Sequence, residues 1–297
     1  MKIIHIIFTL MLLFGTQMCQ AQQLFTPFPS TFRNTRDNEL IEGKSLQSVF
    51  QKIHDKKTVK VMHIGDSHVK GNYLPRNVES TLKSYFPLIE FAYYGINGAW
   101  ARRFYEEDMI QKVAIERPDL VIISFGTNEA HASSFDAVTH SQTMDLLTSR
   151  ISARCPNVKF LFTTPPGSYI STRTGSYTTG KGRRRRTHYT TVKSKNDRTD
   201  AVARSIVQYC QHHKHACWDI FNIAGGINYA CNNWFSSGLM ATDQVHYLVG
   251  GYQLQGKLLG EAIYKAYIAV PAKGTQTRMM HGATPQEQTP YRTLNGF

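Results

Sequence analysis

The sequence predicts a three-layer α/β/α sandwich built around a five-stranded parallel sheet. Short apolar runs rich in β-branched residues alternate along the chain with segments of helical periodicity, the pattern of parallel sheets covered on both faces. Turns containing glycine, serine or asparagine directly follow the first three runs. No internal repeat of 20 to 50 residues is visible, and no apolar run beyond the N-terminus reaches bilayer length. Solenoids, propellers and polytopic membrane proteins are therefore excluded.

The five predicted strands cover residues 59–64, 89–94, 120–125, 158–163 and 216–220. Apolar residues at helical spacing predict helices around 46–53, 74–85, 101–115, 144–151, 202–210 and 254–263. Right-handed crossovers favour the strand order 2-1-3-4-5, a flavodoxin-like arrangement. Ligands of such sheets bind beyond the carboxyl ends of the strands, so the polar turns there should share one site.

The N-terminus has the pattern of a signal peptide. Lys2 precedes a short apolar stretch at 3–14, and Cys19-Gln20-Ala21 offers small residues for cleavage before Gln22. A lipoprotein interpretation of Cys19 is second, since Met18 is a poor neighbour for it. We therefore expect an exported protein of the periplasm or cell envelope, or one that is secreted.

Five segments are predicted: a signal peptide (1–21), a linker or N-terminal arm (22–44), one globular α/β domain (45–271), a basic insertion within that domain (168–195) and a loose tail (272–297). Residues 225–247 should form a long loop, because they are rich in Asn, Gly and aromatics.

Four cysteines remain after cleavage: Cys155, Cys210, Cys217 and Cys231. In an exported protein they can form two disulfides with three alternative pairings. Free buried thiols are the alternative, because a chain of this length builds a core without covalent crosslinks.

The chain carries a formal net charge of +13, and much of the excess lies in one segment. Lys181 and the run Arg183, Arg184, Arg185 and Arg186 dominate it. Export argues against nucleic acid as the partner, which leaves anionic polymers and anionic surfaces. We expect a mobile, solvated loop, and the four arginines are candidates for binding an anionic substrate.

The residues at the strand ends indicate acyl transfer. Ser67 follows the first strand on a turn into a helix, where its Oγ is exposed and its N–H can face an anion. Asp243 precedes His246 by three residues, a spacing that lets the carboxylate orient the imidazole towards a nucleophile. Gly98 and Asn128 can donate further hydrogen bonds to an oxyanion. No metal-ligand spacing and no nucleotide-binding motif is present, so we expect neither a metal nor a cofactor.

These residues lie in four blocks that resemble those of SGNH (GDSL-type) hydrolases. The blocks are His63-Ile64-Gly65-Asp66-Ser67-His68, Gly95-Ile96-Asn97-Gly98-Ala99, Ser124-Phe125-Gly126-Thr127-Asn128-Glu129 and Asp243-Gln244-Val245-His246. The resemblance implies Ser67 as nucleophile, His246 as base, Asp243 as its orienting carboxylate, and Ser67, Gly98 and Asn128 as oxyanion donors. Two departures from the pattern are Glu129, where Asp is commoner, and His68, where the family nickname has Leu.

The resemblance implies a serine esterase that releases a short acyl group, an O-acetyl group by preference, from an envelope or other glycan. The Gly-Asp-Ser-His form is similar to bacterial peptidoglycan O-acetylesterases. An O-acyltransferase with the same residues and a non-catalytic glycan-binding module are the alternatives. The first differs from an esterase only in whether a sugar or water reaches the acyl-enzyme.

Several residues allow two interpretations. His68 is expected behind the site or on the surface, more than in the pocket itself. His212, His213 and His215 fit solvated positions at a helix end better than a metal site. Trp234, with Tyr229 and Phe235, forms either a sugar-stacking wall or the core of its own loop.

Overall fold

In the computed structural model, which describes residues 25–272, a parallel sheet of five strands lies between two layers of helices. The strands of the chain are β1 Val59–Gly65, β2 Ile89–Gly95, β3 Leu120–Ser124, β4 Lys159–Thr163, β5 Tyr169–Thr179, β6 Arg186–Lys195 and β7 Ala216–Trp218. The sheet order β2-β1-β3-β4-β7 confirms the predicted order. All five strands run parallel, so their carboxyl ends share one edge.

The helices are α1 Gln47–His54, α2 Ser67–Lys70, α3 Tyr73–Tyr85, α4 Ala101–Phe104, α5 Glu107–Glu116, α6 Thr127–His131, α7 Ala137–Arg154, α8 Arg198–His213, α9 Ile220–Ile223, α10 Gly226–Ser236 and α11 Val249–Ala269. The single helix predicted over 101–115 is two short ones, and the fifth strand ends at Trp218 because the chain then turns into α9. The other predicted helices are present with shifted ends.

The central strand β3 is buried along its whole length, as its unbroken apolar sequence requires. Ile122 packs into a cluster with residues of α3 and α11, whereas Val121 and Ile123 pack with α7 and α8 on the other face. On the first face α11 lies so close to α3 that a Cβ on Gly256 would come within 2.6 Å of the Asn77 Cβ. A side chain at that position would push the two helices apart.

Two segments differ from the sequence prediction. Residues 225–247 are not one loop: they begin with α10, which is stabilised by burial of Ala230, Cys231 and Trp234 on one side. The basic insertion is an antiparallel hairpin of β5 and β6 and not an irregular loop. Threonines and tyrosines, with one isoleucine and one valine, make up much of both strands, and the arginine run occupies the turn and the first residue of β6.

Residues 25–42 form an arm with little regular secondary structure that packs along the domain. Thr26 donates two hydrogen bonds to the buried Glu261 carboxylate of α11, at 2.9 and 2.7 Å. Ile41 forms an antiparallel bridge with Cys217 of β7, on the side of that strand away from β4. The arm thus borders one edge of the sheet.

Cys155, Cys210, Cys217 and Cys231 are all buried and free, so the alternative without disulfides is the correct one. Within residues 25–272, every helix is too short or too polar to cross a bilayer. The predicted signal peptide, 1–21, and residues 273–297 of the predicted tail lie outside the described residues.

Candidate active site

Ser67 is the first residue of α2, which starts immediately beyond the carboxyl end of β1. Asp66 caps this helix by accepting a hydrogen bond from the His68 N–H at 2.9 Å. A Cβ on Gly65 would lie 2.4 Å from the Val69 side chain and 2.5 Å from the Ser124 carbonyl. The tight turn therefore needs glycine before Asp66, and it leaves Ser67 partly exposed at the edge of the sheet.

Ser67, His246 and Asp243 lie in one hydrogen-bonded line. The Ser67 Oγ is 2.8 Å from the His246 Nε2, and the His246 Nδ1 is 2.7 Å from the Asp243 Oδ2. The other carboxylate oxygen of Asp243 accepts the N–H groups of Val245 and His246, both at 2.9 Å. These bonds fix the carboxylate beneath the imidazole. The serine is 179 residues away in the chain, and only the fold brings it to the histidine.

Two carboxyl groups near Ser67 have opposite electrostatic surroundings. Burial alone would raise the pKa of Asp243, but the hydrogen bonds from Val245 and His246 outweigh it and lower that pKa to about 2. Burial raises the pKa of Asp66 to about 8, helped by the charge of Glu129 and opposed by the His68 N–H. At neutral pH Asp243 is ionised and Asp66 is mostly protonated.

Gly98 and Asn128 lie on either side of the end of β1, in the segments after β2 and β3. Gly98 has a φ of 69°, a left-handed conformation that favours glycine, and no atom lies within 4 Å of its absent Cβ. The Asn128 Nδ2 donates to the Ala99 carbonyl at 3.0 Å and to the Asp66 Oδ2 at 3.3 Å. Both amide hydrogens of Asn128 thus have acceptors within the protein, and the bond to Asp66 is the longer.

Glu129 holds the Gly98 segment against α6. Its buried carboxylate accepts the Ala101 N–H at 2.8 Å and the Gly126 N–H at 3.0 Å. Burial raises the pKa of Glu129, while these backbone N–H groups oppose the shift. The departure from the commoner Asp therefore has a structural role, because the longer side chain bridges two loops at the edge of the sheet.

His68 is buried beneath His246, with ring centroids 5.3 Å apart. Its Nδ1 lies 2.9 Å from the Tyr252 hydroxyl. Burial and the nearby His246 lower the pKa of His68 to about 3, so this imidazole is neutral. It supports the His246 ring from behind and does not titrate in the physiological range.

The prediction that Trp234 binds substrate by stacking on a sugar is wrong, because this side chain has no exposed surface. The Trp234 ring packs edge-on against Phe32 and Tyr247 in the core. Trp100 is partly exposed instead, two residues after Gly98, and the Arg102 guanidinium lies 4.8 Å from its ring centroid. Both line an open groove of about 640 Å³ that also includes Gly98. In the sequence, Trp100 could have been identified as a groove residue because it directly follows the block Gly95-Ile96-Asn97-Gly98-Ala99.

Arg183, Arg184, Arg185 and Arg186 lie in and beside the turn of the β5–β6 hairpin, at the end opposite to Tyr169, whose N–H bonds to Gln244. His212 and His213 are exposed at the end of α8, whereas His215 stacks on Phe162. Within residues 25–272 no three His, Cys, Asp or Glu side chains are grouped to hold a metal ion.

The family model of the GDSL-like lipase/acylhydrolase family matches residues 34–254. No curated protein matches the sequence. A solved peptidoglycan O-acetylesterase has a TM-score of 0.60 and 15% identity, over 81% of this chain and 99% of its own. An acetyl xylan esterase has a TM-score of 0.51 and 17% identity, over 69% and 99%. A carbohydrate esterase family 3 protein from Talaromyces cellulolyticus has a TM-score of 0.50 and 17% identity, over 72% and 100%. At these identities the three structures show a shared fold.

Proposed function

This chain belongs to the GDSL-like lipase/acylhydrolase family and is a carboxylic ester hydrolase, and from that premise we propose a specific function. The protein is an exported serine esterase, and it removes a short acyl group, acetyl by preference, from a cell-envelope or other glycan. The observation that carries the proposal is the line of hydrogen bonds from Ser67 through His246 to Asp243.

In the proposed mechanism the Ser67 Oγ attacks the ester carbonyl carbon while the His246 Nε2 takes the hydroxyl proton. The ionised Asp243 holds the Nδ1–H and stabilises the imidazolium that forms. The tetrahedral oxyanion accepts hydrogen bonds from the N–H groups of Ser67 and Gly98 and from the Asn128 amide. His246 then gives its proton to the departing sugar oxygen, which leaves an acyl group on Ser67. Water, deprotonated by His246, releases the acid and restores the serine.

Asn128 must change partners to act in this way. Its amide hydrogens are bonded to Ala99 and Asp66 before substrate binds. The 3.3 Å bond to Asp66 is the weaker, because the acceptor is a mostly protonated carboxyl group at a long distance. A full negative charge on the oxyanion would be the better acceptor for that hydrogen.

A glycan substrate is supported by the groove that Gly98 shares with Trp100. Its lining combines two aromatic rings, those of Trp100 and Tyr105, with charged side chains, those of Arg102, Arg103 and Glu106. An indole face suits the apolar side of a sugar ring, and the polar groups suit its hydroxyls. The solved relatives of similar fold include proteins named for acetyl esters of peptidoglycan and xylan, which supports acetyl as the acyl group.

Export is supported by the N-terminal sequence, where Lys2 precedes a short apolar stretch and a small-residue cleavage site before Gln22. Expression in cells followed by N-terminal sequencing of the secreted or periplasmic protein tests this part. A cytoplasmic product that retains Met1 would contradict it.

The catalytic proposal is tested with 4-nitrophenyl esters of two to eight carbons, with and without a sugar acceptor. We expect the highest kcat/KM on acetate, and a loss of kcat on the order of 10³-fold or more in Ser67→Ala and His246→Ala. Ser149→Ala and His212→Ala are matched controls, because both residues are exposed on helices away from the site. Near-normal turnover by Ser67→Ala would overturn the assignment. Acylated sugar in place of free acid would identify an acyltransferase.

A further inference from the structure

We propose that the basic hairpin, β5 with β6 and the turn between them, is a binding arm for a polysaccharide that bears carboxylate groups. Its use in delivering that polymer to Ser67 rests on the proposed esterase function, whereas the binding itself does not.

The basic hairpin projects from the domain as two paired strands. Ten residue pairs join β5 to β6, from Tyr169 opposite Lys195 to Thr179 opposite Arg186. Beyond the first two residues of β5, every residue of both strands is exposed. Strands of ten or eleven residues extend roughly 35 Å at their usual rise. Such an arm has no core of its own, so its sequence is free to serve recognition.

The charge of the basic hairpin is entirely positive. Lys181 and Arg183–Arg186 lie at the turn, and Arg173, Lys193 and Lys195 lie closer to the domain. The segment from Ser168 to Asn196 contains no Asp or Glu. The ion pairs formed among residues 25–272 include none of these eight cations. Their charges are therefore available to an outside partner.

One face of the basic hairpin forms a track that leads to the active site. Lys195, Lys193 and Tyr189 alternate along β6 and so point to the same side, and Arg173 joins them from β5. The Arg173 guanidinium lies 4.1 Å from the centroid of the Tyr189 ring, which confirms this shared side. Positive charge thus continues from the arginines of the turn down to the domain.

The lower end of the track touches the loop that carries Asp243 and His246. The Lys193 Nζ donates to the Thr242 carbonyl at 2.7 Å, and the Tyr169 N–H donates to the Gln244 carbonyl at 2.8 Å. The Tyr247 hydroxyl donates to the Gly167 carbonyl at 2.7 Å. These three bonds, on both sides of His246, hold the base of the arm beside the catalytic line.

The arm and the Trp100 groove flank Ser67 from opposite sides. The groove follows β2, the arm follows β4, and β1 with Ser67 lies between them in the sheet. A polymer bound along the arm and into the groove would pass over the serine. Three strand spacings separate β2 from β4, roughly 14 Å. The arrangement fits a chain of sugars and exceeds what one monosaccharide can span.

The side chains of the arm favour an acidic polysaccharide over a membrane. The turn, from Gly180 to Arg186, has no apolar side chain that could enter lipid. Tyr189 is 54% exposed and lies on the same face as the lysines of the track, whereas Tyr177 lies on the other face, stacked on His188. Guanidinium groups pair with carboxylates, and ring faces pack on sugars. The predicted export separates the arm from cellular nucleic acid.

Binding of polygalacturonate, a carboxylate polymer, is measured with the Ser67→Ala protein so that turnover plays no part. The test variant changes Arg183, Arg184, Arg185 and Arg186 to Gln. The matched control changes Lys44, Lys56, Arg117 and Lys257 to Gln, which removes the same charge from exposed positions elsewhere. We expect the test variant to bind about tenfold more weakly at low salt, with the difference shrinking at 0.3 M salt, and the control to bind as before.

Binding to vesicles of phosphatidylglycerol and to single-stranded DNA is measured with the same proteins. Equal loss of polygalacturonate binding in both variants, or no binding at low salt, would overturn the proposal. Tighter binding to the vesicles or to single-stranded DNA, lost in the test variant, would assign the arm to a different partner and also overturn it. In the active enzyme, kcat/KM on 4-nitrophenyl acetate should match between test and control variants. Absence of esterase activity with intact polymer binding would refute the proposed function and leave the binding arm standing.

Discussion

Two carboxyl groups near Ser67, those of Asp243 and Asp66, differ in protonation because their surroundings differ. Asp243 accepts three hydrogen bonds and stays ionised, whereas Asp66 is enclosed and mostly protonated at neutral pH. In the proposed mechanism the ionised carboxylate of Asp243 stabilises an imidazolium on His246 through its charge. Asp66 instead has the role of a helix cap and of a hydrogen-bond partner for Asn128.

The pH profile of the esterase follows from this difference. The lowered pKa of Asp243, about 2, means that its interactions are complete above its ordinary pKa of 3.8 and are lost only as the pH falls towards 2. Asp243 is therefore ionised throughout pH 4 to 9. Below about pH 8, where Asp66 stays protonated, we expect kcat/KM on 4-nitrophenyl acetate to rise with pH through a single ionisation, because the general base must be neutral to accept the serine proton. An acid limb with a slope of two would show a second titrating group.

Asn128→Ala should lower kcat on the order of 10²-fold, the usual effect of removing one oxyanion donor. The variant also removes the hydrogen bond to the Ala99 carbonyl, so its thermal unfolding must be measured alongside. The expected result is a fall in kcat with a small change in KM, because the oxyanion exists only in the transition state. A fall in stability with unchanged kcat would reduce Asn128 to a structural residue.

Single residues of the site were predictable where short motifs contain them. The hydrogen-bonded line of Ser67, His246 and Asp243 has the arrangement that the spacing and the blocks indicate. Aromatic residues were not predictable, since exposure decides their role and a sequence does not show exposure. Trp234 is in the core because α10 turns it inward, while Trp100 lies at the groove.

At the scale of elements, Glu129 joins the segment of Gly98 to the start of α6. Glu129→Gln replaces one acceptor with a donor that faces a backbone N–H, at a cost of about 1–3 kcal/mol in unfolding free energy. Displacement of the Gly98 N–H should also lower kcat by about 10- to 100-fold with KM nearly constant. Glu116→Gln, at an exposed position on α5, is the control. A stability loss with normal kcat would separate Glu129 from the oxyanion site.

Local composition misled the prediction of two elements. Asn and Gly residues in 225–233 weaken helix propensity, and α10 forms nevertheless because Ala230, Cys231 and Trp234 gain burial together. Four consecutive arginines indicate a solvated loop, yet they occupy only the turn and the first residue of β6. The β-branched and aromatic residues on either side were the stronger signal.

For the molecule as a whole, the topology was predictable because connection rules leave few alternatives. Alternating strands and helices with right-handed crossovers lead to the order that the sheet has. Whether the cysteines are free or paired was not predictable, since both buried thiols and disulfides suit a chain of this composition. Thiol burial depends on which helix faces meet, and this is a property of the assembled core.

The free thiols predict that stability is independent of reductant. Dithiothreitol should leave the melting temperature unchanged, because Cys155, Cys210, Cys217 and Cys231 form no crosslink. A thiol reagent should react slowly with the folded protein and with all four after unfolding in guanidinium. A drop in melting temperature of several degrees on reduction would reveal a disulfide.

The arm at 25–42 has a consequence for self-association. The outer side of β7 would otherwise present the unpaired backbone groups of Cys217 to a strand of another molecule, and the bridge with Ile41 occupies them with N–O distances of 2.9 Å in both directions. A chain that begins at residue 43 should therefore form edge-to-edge aggregates that light scattering detects, whereas one that begins at residue 34 keeps the bridge and should stay dispersed. Equal scattering from both chains would mean that β7 is too short to pair with a strand of another molecule. The arm at 25–42 would then have no part in preventing aggregation.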